Sequence, residues 1–376
     1  MKVLHFFKTY CPESKGSVEQ FIYQLAEGGR EHGILADVLY LSERGAARNE
    51  PVGQHLAHRS RLDLHAGASG FSFSAFKDFT DLASQADLVH YHFPWPYMEL
   101  VHFASRLNKP AVVTYHADII ERDTLLKLYQ PLMNRFLGSV DRIVASSPDY
   151  VASSEVLQRF ADKVSVIPFG LDEATYSTPD ASRLEHWRQQ VGPRFFLFVG
   201  ALRDYKGLDY LIEAARQADL PVVIVGQGPL EQELRAKAQA IGAHTVRFVG
   251  GLDDQDKVAL LQLCEGFVFP SHLRSEAFGI ALLEAAMYGK PMISCDIGSG
   301  MSYINEHGKT GLVIPPRNVQ QLAEAMQKIW NDPAWAGELG RGARERFEWL
   351  FGAERMIGQY AELYLDLVAV RLSHGK

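Results

Sequence analysis

Cysteine is scarce in this sequence: 376 residues contain three, Cys11, Cys264 and Cys295. Scattered and odd in number, they exclude a disulfide-stapled scaffold, form no metal-ligand cluster and suit a reducing compartment. No run of about eighteen apolar residues occurs, so no membrane-spanning helix is expected. The opening MKVLHFFKTYCPESKG holds an apolar stretch too short and too interrupted for a secretory signal. Positive charge is not in excess either. The 38 Lys and Arg stand against 45 Asp and Glu, a formal net charge of -7, which leaves no broad basic surface to neutralise phosphates and argues against a nucleic-acid partner. A GxGxxG fingerprint is missing, which disfavours a nicotinamide dehydrogenase. Together these absences point to a cytoplasmic protein.

What is present is ordinary globular material, 47% hydrophobic and 22% charged, in a chain long enough for two domains. Strand and helix patterns alternate along it. Lys2–Phe7 reads as a strand and Val18–His32 as a helix, with Phe21, Ile22, Leu25 and Ala26 at helical spacing. Strands at 87–91, 111–115, 142–146 and 164–167 follow, separated by helices such as 97–107 and 124–137. Residues 43–80 are rich in Gly, Ser, Arg and His and read as a loop region; His55, His58 and His65 fit no metal-ligand spacing. Residues 169–194 form the candidate linker. Alternation then restarts, with strands at 195–199, 221–225, 245–249 and 266–269, and ends in an aromatic helix over about 353–372 that contains Tyr360 and Tyr364. The fold class is α/β, with doubly wound parallel sheets in domains 1–170 and 171–352.

The stretch VFPSHLRSEAFGIALLEAAMYGKPMISCDIGSG, residues 268–300, organises the functional reading. From Phe278 to Met287 every residue but Glu284 is apolar or Gly, and a helix apolar all round is buried. A buried carboxylate must be paired, protonated or hydrogen-bonded, because leaving it bare costs several kcal/mol. Glu276 stands eight positions earlier, about 12 Å along a helix axis, which suits the two ends of one elongated ligand. Between the two acids, the free N–H groups of a first helical turn around Ala277 to Ile280 attract phosphate, and Gly279 permits close approach. Acid, anion-binding helix end, acid is the pattern for a nucleoside diphosphate sugar. The alternative is a solvated Glu276 with Glu284 neutralised by a core Arg.

Other strand ends add candidates. GALRDYKG, residues 200–207, places Arg203 and Lys206 where two cations can clamp a diphosphate or simply form a solvated turn. VGQGPL and VGGL supply glycine turns at Gly226 and Gly250. Gly16 and Ser17 stand at the mouth of the first helix, either in a ligand loop or in a plain turn capped by Ser17. HYHFPWP and TYHAD end two strands with His92, read as structural, and His116. Asp254 and Asp256 stand at a helix start, where acids favour the dipole, so no metal is expected.

Glu276, seven intervening residues and Glu284, within FPSHLRSEAFGIALLEAAMYGKP, resemble the signature of glycosyltransferase family 4, and the resemblance covers nearly the whole chain. It implies a retaining enzyme of the GT-B fold: two facing Rossmann-like domains with a cleft between them, acceptor on the first and nucleotide-sugar donor on the second, and a final helix, about 353–376, packing back on the first. It further implies that Glu276 holds hydroxyls of the transferred sugar, Glu284 the ribose diol, and that His116 contacts the sugar near the reacting bond. Lys206 and Arg203 would clamp the leaving diphosphate, although the family arginine stands where this chain has Ala201. Gly226 and Gly250 would line the base, Phe278, Gly279 and Ile280 would present the helix end, and the loop at Gly16 would lie between donor and acceptor, with Ser17 in place of a usual second glycine. No cofactor and no metal are implied. LRDYKGL and SHLRSEAFGIALLEAAMYGKPMISCDIGSGMSYIN look most like bacterial O-antigen and polysaccharide mannosyl- or rhamnosyltransferases using GDP-sugars. That likeness implies a lipid-linked saccharide acceptor at the inner face of the cytoplasmic membrane, where the helix bearing Lys127 and Arg135 beside Leu125, Leu126 and Leu132 would make a peripheral contact or pack in the core. The rival readings are a nucleotide-sugar epimerase of the same architecture and a non-catalytic nucleotide-sugar binding protein.

Overall fold

The structure, a computed structural model, describes residues 1–14, 16–66, 69–119 and 123–374. The chain divides into two compact units, residues 1–170 with 353–376, and residues 171–352.

The first unit is built on β1 (Lys2–Phe6), β2 (Leu35–Ser42), β3 (Ala47–Val52), β4 (His55–Arg61), β5 (Leu64–Ala66), β6 (Ser69–Phe71), β7 (Leu88–Phe93), β8 (Ala111–Tyr115), β9 (Arg142–Ala145) and β10 (Val164–Val166). Eight of them form one sheet in the order β10-β9-β8-β7-β1-β2-β4-β3, and β5 pairs with β6. Neighbours in the large sheet are parallel except β3 and β4. The central strands β1, β7 and β8 are almost wholly buried, as strands covered on both faces must be. Strand order reverses direction beside β1, and the carboxyl ends there are the usual place for a ligand.

Two expectations fail, each where an apolar period is missing from the sequence. Residues 43–80 are not a loop region, since β3 to β6 occupy much of them. Strand β4 hides its alternation because its inward residues are polar and paired: His55 Nδ1 lies 2.6 Å from Glu27, His58 Nε2 3.2 Å from Asp37, and Ser60 Oγ donates to Asp78 at 2.6 Å. The supposed linker 169–194 likewise contains a helix, Ala181–Val191, capped by Asp180. Only Trp187 and Val191 of that helix are buried, and Trp187 Nε1 donates to Asp256 at 2.9 Å.

The final helix, Ala353–His374, belongs to the first unit. Its aromatic face is used internally, with the Tyr360 hydroxyl 2.8 Å from Thr114 Oγ1 and the Tyr364 hydroxyl 2.6 Å from His90 Nδ1. Among the described residues no helix is long and apolar enough to cross a membrane.

The second unit holds β11 (Phe196–Val199), β12 (Val222–Val225), β13 (Val246–Gly250), β14 (Gly266–Phe269), β15 (Met292–Cys295) and β16 (Gly311–Ile314). They form one parallel sheet, ordered β13-β12-β11-β14-β15-β16. Because all six run the same way, the turns that follow β11, β12, β13 and β14 emerge side by side along one edge. A helix the sequence reading left out, Pro333–Leu350, packs over this sheet through Leu339, Ala343 and Phe347.

Candidate active site

The turns along that edge are stitched to one another. The Gly226 amide donates to the Gly250 carbonyl at 2.8 Å, the Gly200 amide to the Val225 carbonyl at 3.0 Å, and the His272 amide to the Tyr205 carbonyl at 2.9 Å. Glycine is required at Gly226, where φ is 138° and an added Cβ would fall 1.9 Å from the Gly200 carbonyl oxygen. Gly250 also sits at positive φ, 77°, but with open space around it.

Lys206 and Glu276, read in the sequence as separate contributors, form one ion pair between the turns after β11 and β14. Both side chains are about nine-tenths buried. The Lys206 ammonium also stands 4.5 Å from the centroid of the Phe269 ring, and Ser271 Oγ donates to the same Glu276 oxygen at 3.4 Å. Arg203, by contrast, is exposed and makes no ion pair among the described residues.

The helix after this turn begins later than the sequence suggested. It spans Ile280–Met287 behind Gly279, whose φ of 94° turns the chain. Glu276 therefore lies outside the helix, and the axial spacing drawn from one continuous helix does not apply. The amides of Gly279, Ile280 and Ala281 make no backbone hydrogen bond among the described residues, as expected for a helix start. Phe278 is buried against Phe351.

Glu284 is buried in the helix as its apolar surroundings require. Its protein partners are a lysine and a tyrosine, not the core arginine of the alternative reading. Lys257 Nζ donates to Oε1 at 2.8 Å and the Tyr176 hydroxyl to the same oxygen at 3.0 Å, and no bond reaches Oε2 among the described residues. Burial alone would lower the Lys257 pKa, but the Glu284 carboxylate overrides it and holds the ammonium above its ordinary value. Lys257 was missed in the sequence, yet a signal existed: it is the sole Lys or Arg between Arg247 and Arg274. Tyr176 gave none. The nearby acids are structural: Asp253 caps the helix Asp254–Leu263 by accepting from the Asp256 amide at 2.8 Å, and Asp256 accepts from Arg183 and Trp187.

In the first unit, Ser17 is the first helical residue and Gly16 the cap, in extended conformation. The reading of Ser17 as a capping residue is thus corrected. A Cβ at Gly16 would stand 2.4 Å from Glu19 Oε2, a carboxylate that takes bonds from Thr9 at 2.7 Å and Ser14 at 2.6 Å and so holds the loop. Beside it a cavity of about 350 Å³ is lined by Glu13, Tyr40, Ser42 and Arg44. His116, just past β8, is buried, with Nε2 3.1 Å from His92 Nδ1, and burial pushes its pKa down to about 3. His92 in turn meets His5, which the sequence reading missed, at 3.1 Å. Ligand atoms of His5, His90 and His92 lie within 4.8 Å of one another. They are bound to each other or, for His90, to Thr114 and Tyr364.

A larger cavity, about 810 Å³ along the edge strand β13 and lined by Trp187, Arg235, Arg247 and Phe248, includes none of the residues singled out in the sequence.

The sequence and the fold are matched by known proteins. Residues 18–175 match the Glycosyltransferase Family 4 domain and residues 184–346 the domain of glycosyl transferases group 1. The chain is 57% identical to the D-rhamnosyltransferase WbpZ of Pseudomonas aeruginosa, over 94% of this chain and 93% of that one. It is 49% identical to the O-antigen chain mannosyltransferase C of Escherichia coli, over 98% and 99%. Among solved structures, the sucrose-phosphate synthase of Thermosynechococcus elongatus aligns with a TM-score of 0.80 at 22% identity, covering 98% of this chain and 99% of that one. HepE of Anabaena in complex with UDP and glucose aligns at 0.76 and 21%, over 97% and 100%. The fold is GT-B, and the chain belongs to the glycosyltransferases that join a family 4 domain to a group 1 domain.

Proposed function

We propose that the chain is a retaining hexosyltransferase that moves mannose or D-rhamnose from a GDP-sugar onto a lipid-linked glycan during O-antigen or related polysaccharide synthesis. One observation carries the reading: the Lys206–Glu276 pair, the unbonded amides at Gly279 and Ile280, and the Gly226 and Gly250 turns share one sheet edge in the second unit. The names of the two relatives above favour mannose and D-rhamnose.

In this proposal Glu276 holds hydroxyls of the transferred sugar, and Glu284 Oε2 accepts from the ribose diol. Gly226 and Gly250 present backbone to the base, and Phe278, Gly279 and Ile280 present the helix end to the diphosphate. As the C1–phosphate bond breaks, charge grows on the leaving diphosphate, where Lys206, Arg203 and the helix amides stabilise it most. The acceptor hydroxyl forms the new bond to C1 on the same face and gives its proton to the leaving phosphate oxygen. His116 binds the transferred sugar. The loop at Gly16 and Ser17 contacts the donor on the side that faces the acceptor, whose saccharide takes the Glu13 cavity. The proposed scheme uses no cofactor and no metal, since protein cations meet the diphosphate.

The work is proposed to occur in the cytoplasm, at the membrane's inner face. Helix Asp123–Ser139 buries Met133, Phe136 and Leu137 and exposes Leu128; the side chains of Leu125 and Leu126, part of the peripheral-contact reading, lie outside the described residues. The test is a thermal-shift screen with GDP, UDP, ADP and their mannose, rhamnose and glucose conjugates, followed by a GDP-release assay with and without a lipid-linked glycan. Selective stabilisation by GDP and acceptor-dependent release are expected. Release without acceptor would favour the epimerase reading, and binding without turnover a non-catalytic protein.

A further inference from the structure

Five polar residues share one face of the first unit's sheet. The register pairs His5 of β1 with His90 of β7, and His92 of β7 with Thr114 of β8. Because side chains alternate along a strand, His90 and His92 point the same way, as do Thr114 and His116. They form two hydrogen-bonded rows. One runs His5 Nδ1 to His92 Nε2 and His92 Nδ1 to His116 Nε2, each at 3.1 Å. The other runs from Tyr364 through His90 and Thr114 to Tyr360, at 2.6, 2.7 and 2.8 Å, and anchors the final helix. The rings of His92 and His116 stack at 5.3 Å, and Phe21 and Phe169 close the other sides of His116.

We infer that His92 is a positioning residue, which donates from Nδ1 to His116 Nε2 and thereby fixes the proton of His116 on Nδ1, the nitrogen left for substrate. This rests on the proposed contact of His116 with the donor. Burial lowers the pKa of all three imidazoles in the row, so each is neutral and carries one N–H and one acceptor nitrogen. A row of neutral imidazoles is then polar as a whole: if His5 donates to His92, His92 must donate to His116, and the last ring presents an N–H outward. The oxygens of the reacting sugar–phosphate bond, beside the sugar that His116 is proposed to bind, carry no proton of their own, so only this direction gives His116 a bond to them. The stacked rings hold the plane of His116, and the row selects which nitrogen is a donor.

The tautomer is read directly by long-range proton–nitrogen correlation spectra of the full chain labelled with ¹⁵N-histidine. In the unaltered protein His116 is expected to carry its proton on Nδ1. His92→Phe keeps the ring packing and removes both nitrogens; turnover should fall about tenfold, the worth of one hydrogen bond near a charged group, and His116 should lose its single tautomer. His92→Asn, whose amide nitrogen replaces Nδ1, should recover most of that loss. Three results overturn the inference: His116 protonated on Nε2 in the unaltered protein, undiminished turnover in His92→Phe, or His92→Asn no better than His92→Phe. Stoichiometric zinc binding that shifts His5, His90 and His92 together also overturns it. If no nucleotide sugar is turned over, the transferase proposal fails, and the spectrum of the unaltered protein still decides the direction of the row.

Discussion

Lys257→Met tests the proposed donor site where the structure is most specific. The ammonium lies 2.8 Å from a Glu284 carboxylate that is 8% exposed, while its own side chain is 20% exposed. Removing one partner of a wholly buried ion pair costs about 3–5 kcal/mol. Partial exposure of the lysine and the surviving Tyr176 bond reduce this to about 1–2 kcal/mol, or about 3–6 °C in melting temperature for a unit of this size. Binding should suffer separately. Without its cation Glu284 takes a proton or turns toward water, and the ribose loses a charged hydrogen bond, so the GDP dissociation constant should rise about tenfold. The double variant Lys257→Met with Glu284→Gln separates the effects: with both charges gone stability should largely return, whereas GDP affinity should not. Calorimetric titration and thermal melts read the two quantities. The pair's contribution also has a fixed pH range. The folded Lys257 pKa lies above its ordinary value of 10.5, so the pair stabilises fully below that pH and its contribution is lost as pH rises through the folded value. Wild-type melting and GDP affinity in Lys257→Met, or independent effects in the cycle, would refute the reasoning.

Glu276→Gln should chiefly lower kcat in the GDP-release assay, while Glu284→Ala chiefly weakens nucleotide binding; equal, unchanged behaviour of both would defeat the assignment. Gly226→Ala should destabilise the second unit by more than about 2 kcal/mol through positive φ and collision with the Gly200 carbonyl, whereas Gly250→Ala should cost about 1 kcal/mol, a contrast that denaturant melts resolve. Acid should destabilise the first unit. His5 and His116 have folded pKa values of about 3 against 6.5, and His90 and His92 also lie well below 6.5, all chiefly through burial. Below pH 6.5 the unfolded chain therefore takes up protons that the folded one refuses, and stability falls by about 1.4 kcal/mol per histidine per pH unit. A melting temperature unchanged from pH 7 to about pH 5 would contradict this.

Where apolar residues decide a strand, the sequence is readable: the expected strands 111–115 and 266–269 coincide with β8 and β14. Where polar residues face inward, it is not. Strand β4 looks like a loop because His55, His58 and Ser60 occupy its buried positions, and the partners that make this tolerable, Glu27, Asp37 and Asp78, come from elsewhere in the chain. Helix Ala181–Val191 is hidden similarly, since two buried residues are too few to set a period. The row of histidines was half visible in HYH and TYH, but His5 needed the register of β1 against β7.

The two glutamates show the same boundary in the site itself. A carboxylate in an apolar helix needs a partner, and the sequence leaves open whether a ligand or a core arginine supplies it; the structure supplies lysines instead. Lys257 arrives from a helix 27 positions away in sequence, and Lys206 reaches Glu276 from 70 positions away. Each acid is thus neutralised within the second unit, and burial of Glu284 alone no longer demands a nucleotide. What still points to one is asymmetry: Lys257 and Tyr176 both bind Oε1. A purely structural carboxylate buried this deeply would be expected to engage both oxygens, whereas Oε2 takes no bond among the described residues and is left to accept from the proposed ribose hydroxyls.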